Sequence, residues 1–491
     1  MSVLQRGRVS VTAIPNLQAG VSFCFAIEDS WATMAVAELS ACGVQTGAVG
    51  VAGLLAACNG PFFAPLREYL DYPRTRACLR WPPSRRQLRS RRSMPTRNTI
   101  AIAVAAVVFI GWALAVVATG AEGAAGVAAP LPTCKTNLAP QLRTLDVPGL
   151  GAAIVKHGRI VCVAVAGLAD IGQNRPVTPD TLFLIASVSK TITVTAVMQL
   201  REQRKFGLDD DVNQYLPFRV VVPAAPKSAI TFRQLLTHTS SIADNTKYIN
   251  CPGSCAYGTS LGDLVTKGAD SPISLAEMTR GYLTPGGAYY DSKANFKSAA
   301  PGTVADYSNM GTVLAGYLVE SITGVPFDRY CREQIFTPLG MNATSWRLDG
   351  IDRSILAMAY DKSSSRYVPY GHYGEPDYPD GMVRTSVKEL GYFLISYIQG
   401  GQYDGHRILK AKTVREILKP QSALDRSQGL IWMMQDVEGR RVWGHDGSDN
   451  GAGTQMWFDP ARSEGVIVMT NGVWNDETAL LGLLFREADR Y

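Results

Sequence analysis

Ser187 and Lys190 stand three positions apart in LIASVSKTITVTAVMQL, residues 184–200, an otherwise largely apolar stretch. Positions i and i+3 share one face of a helix, so the hydroxyl and the amine can meet. A serine beside a base is a nucleophile. Apolar surroundings strip water from a lysine and are expected to push its pKa down, letting it take up a proton near neutral pH. Ser and Lys at this spacing also arise by chance about once in a chain this long. The pair therefore needs partners before it signifies chemistry.

The chain that must supply them has 491 residues, 46% of them hydrophobic, which is enough for substantial cores. Its net charge of +6 is local: residues 1–99 hold 12 Lys and Arg against 5 Asp and Glu, leaving 36 against 37 for the rest. A body so balanced carries no electrostatic footprint for nucleic acid. The basic excess peaks in SRRQLRSRRSMPTRN, residues 84–98, directly before the nineteen uncharged residues 100–118, IAIAVAAVVFIGWALAVVA. As a helix, that stretch matches the thickness of a bilayer core, and the arginines before it predict that the chain after it is exported. Residues 94–120 are thus expected to be a transmembrane anchor or a signal sequence, placing the body in the cell envelope or outside the cell. Residues 1–93 show no defensible periodicity or motif; they read as an N-terminal extension, disordered or preceding the true start at Met94. Cys251 and Cys255 in CPGSC are close enough to form a disulfide in an oxidising compartment, with a zinc site as the competing reading.

After a small-residue linker, residues 121–138, regular structure is expected. GAAIVKHGRIVCVAVAG reads as two strands around a turn at His157 and Gly158. A helix runs from about Ser187 to Lys205, ended by Gly207, and Thr231 with Gln234 forms the capping box of another. RRVWGHDGS, GTQMWFDP and GVIVMTNG read as three strands before a closing helix. Strands at both ends with helices between them predict an α+β fold: one antiparallel sheet built from both ends of a domain at 139–491, flanked by helices, with a helical insertion at about 187–380.

No GxSxG elbow, HExxH or Walker loop occurs. Later in the chain, and in this order, stand YSN at Tyr307 to Asn309 and HDG at His445 to Gly447. With Ser187 and Lys190 before them, this series resembles the serine β-lactamase and penicillin-binding-protein superfamily, most closely its class C β-lactamase-like branch of D-alanyl-D-alanine carboxypeptidases, D-aminopeptidases and esterases. LLTHTSSI, PGTVADYSNMGTVLAGYLVESITG, IFTPLGMNATSW and YPDGMVRTSVKELGYFL are similar to that family's recurring text, so the likeness spans most of residues 139–485. Tyr248 in YIN, His372 in HYG and Ser448 in SDN imitate single motifs, but lie in the wrong context or order.

The resemblance implies a β-lactamase/transpeptidase-like fold and an acyl-enzyme formed on Ser187, without metal or organic cofactor. Lys190 and Tyr307 would activate the serine, Asn309 would orient Lys190 and a substrate amide, and the backbone amides of Ser187 and Ser448 would hold the oxyanion. Which of Lys190 and Tyr307 is the base stays open. Where the β-lactamases usually carry Lys-Thr-Gly for a substrate carboxylate, this chain has His445, Asp446 and Gly447, and a neutral imidazole attracts a carboxylate weakly. An ester, amide or D-residue peptide is therefore favoured over a β-lactam. A catalytically silent binder of cell-wall ligands and a membrane-anchored scaffold are the alternatives. His238 is expected to stabilise a turn and Trp443 to pack in a core.

Overall fold

A computed structural model describes residues 10–13, 23–26, 77–79, 131–248, 264–363, 366–474 and 478–491. The chain divides into two units, Met1–Gly126 and Val127–Tyr491. In the first, three short strands, Ser10–Ala13, Phe23–Ala26 and Ala77–Leu79, pair antiparallel. The stretch 100–118 and the pair Cys251 and Cys255 lie outside the described residues. Among those described, no helix is long and apolar enough to cross a membrane.

The second unit begins with helix α1 (Ala139–Leu145), strands β1 (Gly149–Lys156) and β2 (Arg159–Asp170), and a two-residue strand β3 (Arg175–Pro176). His157 and Gly158, at φ 52° and 73°, are both left-handed. That backbone matches the twist of the strands it joins, which is why a His-Gly pair makes this hairpin turn. Helices α2 (Ser189–Glu202), α3 (Phe232–Leu236) and α4 (Asn309–Thr323) belong to the insertion, and α5 (Val387–Ile398) packs on the sheet. Strands β4 (Met433–Val437), β5 (Arg440–Asp449), β6 (Ala452–Asp459) and β7 (Glu464–Thr470) come next, and helix α6 (Thr478–Ala488) closes the chain. The sheet runs β4-β5-β6-β7-β1-β2-β3, antiparallel throughout, so the two ends of the unit meet at β7 and β1. The α+β plan expected from the sequence is the one observed.

Both faces of this sheet are buried, and the period-two alternation of a strand sorts its side chains between them. Ala153, Val155, Ile467 and Met469 join the core shared with the insertion. Leu150, Ala152, Ile154, Val466 and Val468 face the second core, covered by Leu480, Leu481, Leu484 and Phe485 of α6. Trp443 is buried in the first core, as expected.

Two expectations are corrected. The helix that carries Lys190 ends at Glu202 rather than Lys205, and the left-handed residue that stops it is Arg204, φ 60°, not Gly207; the Lys205 amide then donates to the Leu200 carbonyl. The α-helix also begins only at Ser189, because Ala186–Val188 forms a 3₁₀ turn. Among the described residues a disulfide that the sequence reading did not anticipate joins Cys134 to Cys162, where Thr133 bridges Val163 beside β2; it leaves the Cys251 and Cys255 pairing untouched. Cys331 is a buried thiol.

Candidate active site

Ser187 sits in the 3₁₀ turn at the N-terminal end of α2, preceded by Ala186 at φ 45°, a backbone state that costs a non-glycine residue about 1 kcal/mol. Neighbouring chain holds the turn there. The Ile185 amide donates to the Val383 carbonyl at 2.9 Å, and the Val383 amide to Ser189 Oγ at 3.1 Å. Thr193 Oγ1 donates to the Pro379 carbonyl at 2.6 Å. The small hydroxyl residues scattered through this apolar helix thus fasten the 379–383 loop to it.

Lys190, 1% exposed, lies one turn on. Its Nζ donates to Ser187 Oγ at 2.9 Å and to the Asp380 carbonyl at 2.8 Å. The Tyr307 hydroxyl shares hydrogen bonds with both Lys190 and Ser187, and Lys190 Nζ lies 5.1 Å from the Tyr307 ring centre. Ser187 and Lys190 are therefore joined by Tyr307, which comes from far along the chain. Tyr248, the decoy, packs against Tyr289 instead.

The electrostatics depart from the expectation for Lys190. Burial pulls its pKa down, but the Tyr307 hydroxyl and the carboxyls of Asp380 and Asp244 outweigh that, so the ammonium is held above its ordinary value. Apolar residues around α2 are visible in the sequence; the acids that approach from elsewhere are not. Burial likewise raises the Tyr307 phenol, with Lys190 pulling against it. Tyr307 as a whole residue is nevertheless 42% exposed. Asp380 is pushed up to about 7 by burial, opposed by Lys190.

Asn309 opens α4 and is buried. Asp244 accepts from the backbone amides of Asn309 at 2.8 Å and Met310 at 3.0 Å, placing a carboxylate at the positive end of α4. Neither Asp244 nor the Asp380 carbonyl was legible as a partner of the site.

On the far side stands β5. His445 lies within this strand and is 1% exposed; burial lowers its pKa, opposed by Asp446. Its ring is 6.2 Å from that of Tyr307. A Cβ on Gly447 would stand 2.5 Å from the Ile185 carbonyl oxygen and 2.9 Å from the Ser187 amide nitrogen. Only glycine lets β5 come this close to the Ser187 turn, and Ser448 is the next residue in the strand.

His238 does more than hold a turn. At φ 54° it accepts the Ser308 amide on Nδ1 at 3.2 Å, and its ring lies over Tyr307, centroids 4.4 Å apart. Burial first, then Lys190, pushes it down to about 3. Because this value lies below the ordinary 6.5, neutral His238 contributes stability that is present in full above pH 6.5 and lost as the pH falls toward 3. Calorimetry across pH 7 to about 4 is expected to show Tm falling less steeply in His238→Phe than in the wild type; parallel curves would remove the effect.

Among the described residues, no group of His, Cys, Asp and Glu could hold a metal ion. The class of protein that this sheet, its helical insertion and the Ser-x-x-Lys seam define is that of the serine hydrolases related to β-lactamases. The chain belongs to the Beta-lactamase family, whose model matches residues 135–483. It is 27% identical over 353 residues to Penicillin-binding protein 4 of Amycolatopsis lactamdurans, covering 70% of this chain and 84% of that one. Two further relatives are spanned over only 63% and 62% of their own length. Among solved structures, D-amino acid amidase from Ochrobactrum anthropi matches with TM-score 0.56 at 20% identity, over 72% of this chain and 97% of that one. A class C β-lactamase from Rhodobacter sphaeroides matches with TM-score 0.53 at 21% identity, over 72% and 97%.

Proposed function

We propose that the protein hydrolyses an ester, amide or D-amino-acid peptide through an acyl-enzyme on Ser187. The observation that carries this is the mutual contact of Ser187, Lys190 and Tyr307. In the reacting form Tyr307 has released its proton to solvent and is a phenolate paired with the Lys190 cation; Ser187 Oγ attacks the carbonyl while its proton passes to that phenolate oxygen, and Lys190 stays an ammonium that orients the hydroxyl. The proton then moves to the leaving group, and water cleaves the acyl-serine by the reverse route. The backbone amides of Ser187 and Ser448 hold the oxyanion, a role supported by the close approach of Gly447 to the nucleophile's turn. Asn309 contributes to substrate orientation from the start of α4.

The neutral, buried His445 in place of a lysine supports an ester, amide or peptide over a carboxylate-bearing β-lactam. We also place the domain outside the cytoplasm, a reading supported by the apolar residues 100–118 and by Cys134 and Cys162 joined as a disulfide.

The test is covalent capture. Incubating the folded protein with a fluorophosphonate and analysing its peptides by mass spectrometry is expected to find the adduct on Ser187. No adduct under native conditions would favour a silent ligand binder.

A further inference from the structure

Tyr307 has to bring one oxygen to both Ser187 and Lys190, yet little in its own segment fixes it there. Residues 304–308 form neither helix nor strand, and α4 begins only at Asn309. The residue is 42% exposed, so packing alone does not lock its ring. Its hydroxyl ends a long side chain, where a small rotation at the backbone becomes a large displacement, and a misplacement of about 1 Å costs on the order of 10²-fold in rate.

His238 supplies the restraint. Its carbonyl accepts the Asp306 amide at 2.9 Å, its Nδ1 accepts the Ser308 amide at 3.2 Å, and its ring lies over that of Tyr307 with centroids 4.4 Å apart. One residue, left-handed at φ 54°, thus holds the amide before the tyrosine, the amide after it and the ring between them. The next carbonyl, that of Thr239, accepts the Gly302 amide at 2.7 Å and fastens the same segment upstream. An Nδ1 that accepts keeps its lone pair, so the ring proton sits on Nε2. That Nε2 is buried and bonded to no described residue, which leaves the Ser308 amide as the polar contact that sets the tilt of the imidazole over Tyr307. Packing is non-directional, whereas a hydrogen bond fixes an angle as well as a distance.

Resting on the serine hydrolase reading above, we propose that His238 is a positioning residue for Tyr307: by accepting the Ser308 amide on Nδ1 it aims the phenol oxygen at Ser187 and Lys190. His238 is 5% exposed, so it acts through the tyrosine and not on the substrate. The acceptor atom, more than the bulk of the ring, carries the effect.

Three variants separate the acceptor from the ring. His238→Asn and His238→Gly both suit a left-handed backbone and both remove the ring, but only Asn keeps an acceptor one bond from Cγ, where Nδ1 stands. His238→Phe keeps a ring without the acceptor. Turnover of p-nitrophenyl acetate is expressed per active site, the sites being counted by exhaustive labelling of Ser187 with a fluorophosphonate, so that misfolded protein does not enter the rate. His238→Asn is expected to keep kcat within about fivefold of the wild type, while His238→Gly and His238→Phe lose about 10²-fold, each with KM within about threefold. Should His238→Gly yield no labelled protein, His238→Phe against His238→Asn decides the same question. A kcat gap of less than about tenfold between the variants with and without the acceptor, or a difference confined to KM, would overturn the proposal. Ser187→Ala separates the two readings: if it turns over the ester as the wild type does, the serine hydrolase reading fails and takes this proposal with it. If it is inactive while His238→Asn and His238→Gly match, the role of His238 alone falls.

Discussion

Lys190→Met is expected to fold like the wild type and to lose about 10⁴-fold in kcat/KM toward p-nitrophenyl esters, the scale seen when one member of a cooperating catalytic unit is removed. Two opposing terms decide the stability half of this result. Keeping an ammonium in a site with 1% exposure costs several kcal/mol of lost hydration. Removing it leaves the Asp380 carbonyl without that donor, at about 1–3 kcal/mol, and raises the buried carboxyls of Asp244 and Asp380, which respond by taking up a proton. Met fills nearly the volume of the lysine stem, so the terms come close to cancelling and Tm shifts by a few degrees at most. The catalytic half has no such compensation, because Ser187 Oγ and the Tyr307 oxygen both lose the cation that binds them. Calorimetry and ester turnover on the same sample check both halves. Turnover within about tenfold of the wild type would end the activating role of Lys190.

How much could be read along the chain depended on how local each constraint is. The turn at His157 and Gly158, the Thr231 and Gln234 capping box and the strands β5 to β7 are set by neighbours a few residues away, so their residue types announce them. The Ser187 and Lys190 pair was equally legible, since helical spacing alone brings it together. Strand β4 was not: MMQDV has only Val437 fully buried, so it lacks the apolar alternation that marks its neighbours. The Cys134 and Cys162 pairing depends on where the segment before α1 runs beside β2, which no spacing encodes. At the site, the missing parts are those whose atoms carry no residue signature or come from afar. A backbone carbonyl, that of Asp380, completes Lys190, and Asp244 reaches α4 from 65 residues earlier in the chain. Tyr307 first, then Asp380 and Asp244, reverse the expected direction of the Lys190 pKa, which was judged from its apolar neighbours alone.

The proposed mechanism gives the serine proton to Tyr307, in line with that reversal, and Tyr307→Phe tests it. An ammonium has three donors and no lone pair, so a Lys190 held above its ordinary value cannot accept from Ser187. The remaining oxygen in contact with both is that of Tyr307. Its phenol is held up by burial, which makes it a strong base once ionised, and the Lys190 cation pulls the other way, so that the phenol can give its proton to solvent before the attack. Phe keeps the ring and its packing on His238, so the expected loss of about 10²–10⁴-fold belongs to proton transfer rather than to folding. It should fall on kcat, with KM nearly unchanged, and on the rate of the first p-nitrophenol release, which reports acylation. Were a neutral Lys190 the base, Tyr307→Phe would retain acylation within about tenfold and only Lys190→Met would be inactive. The two variants together separate the mechanisms: equal, severe losses place the proton on the phenol oxygen with Lys190 as its electrostatic partner.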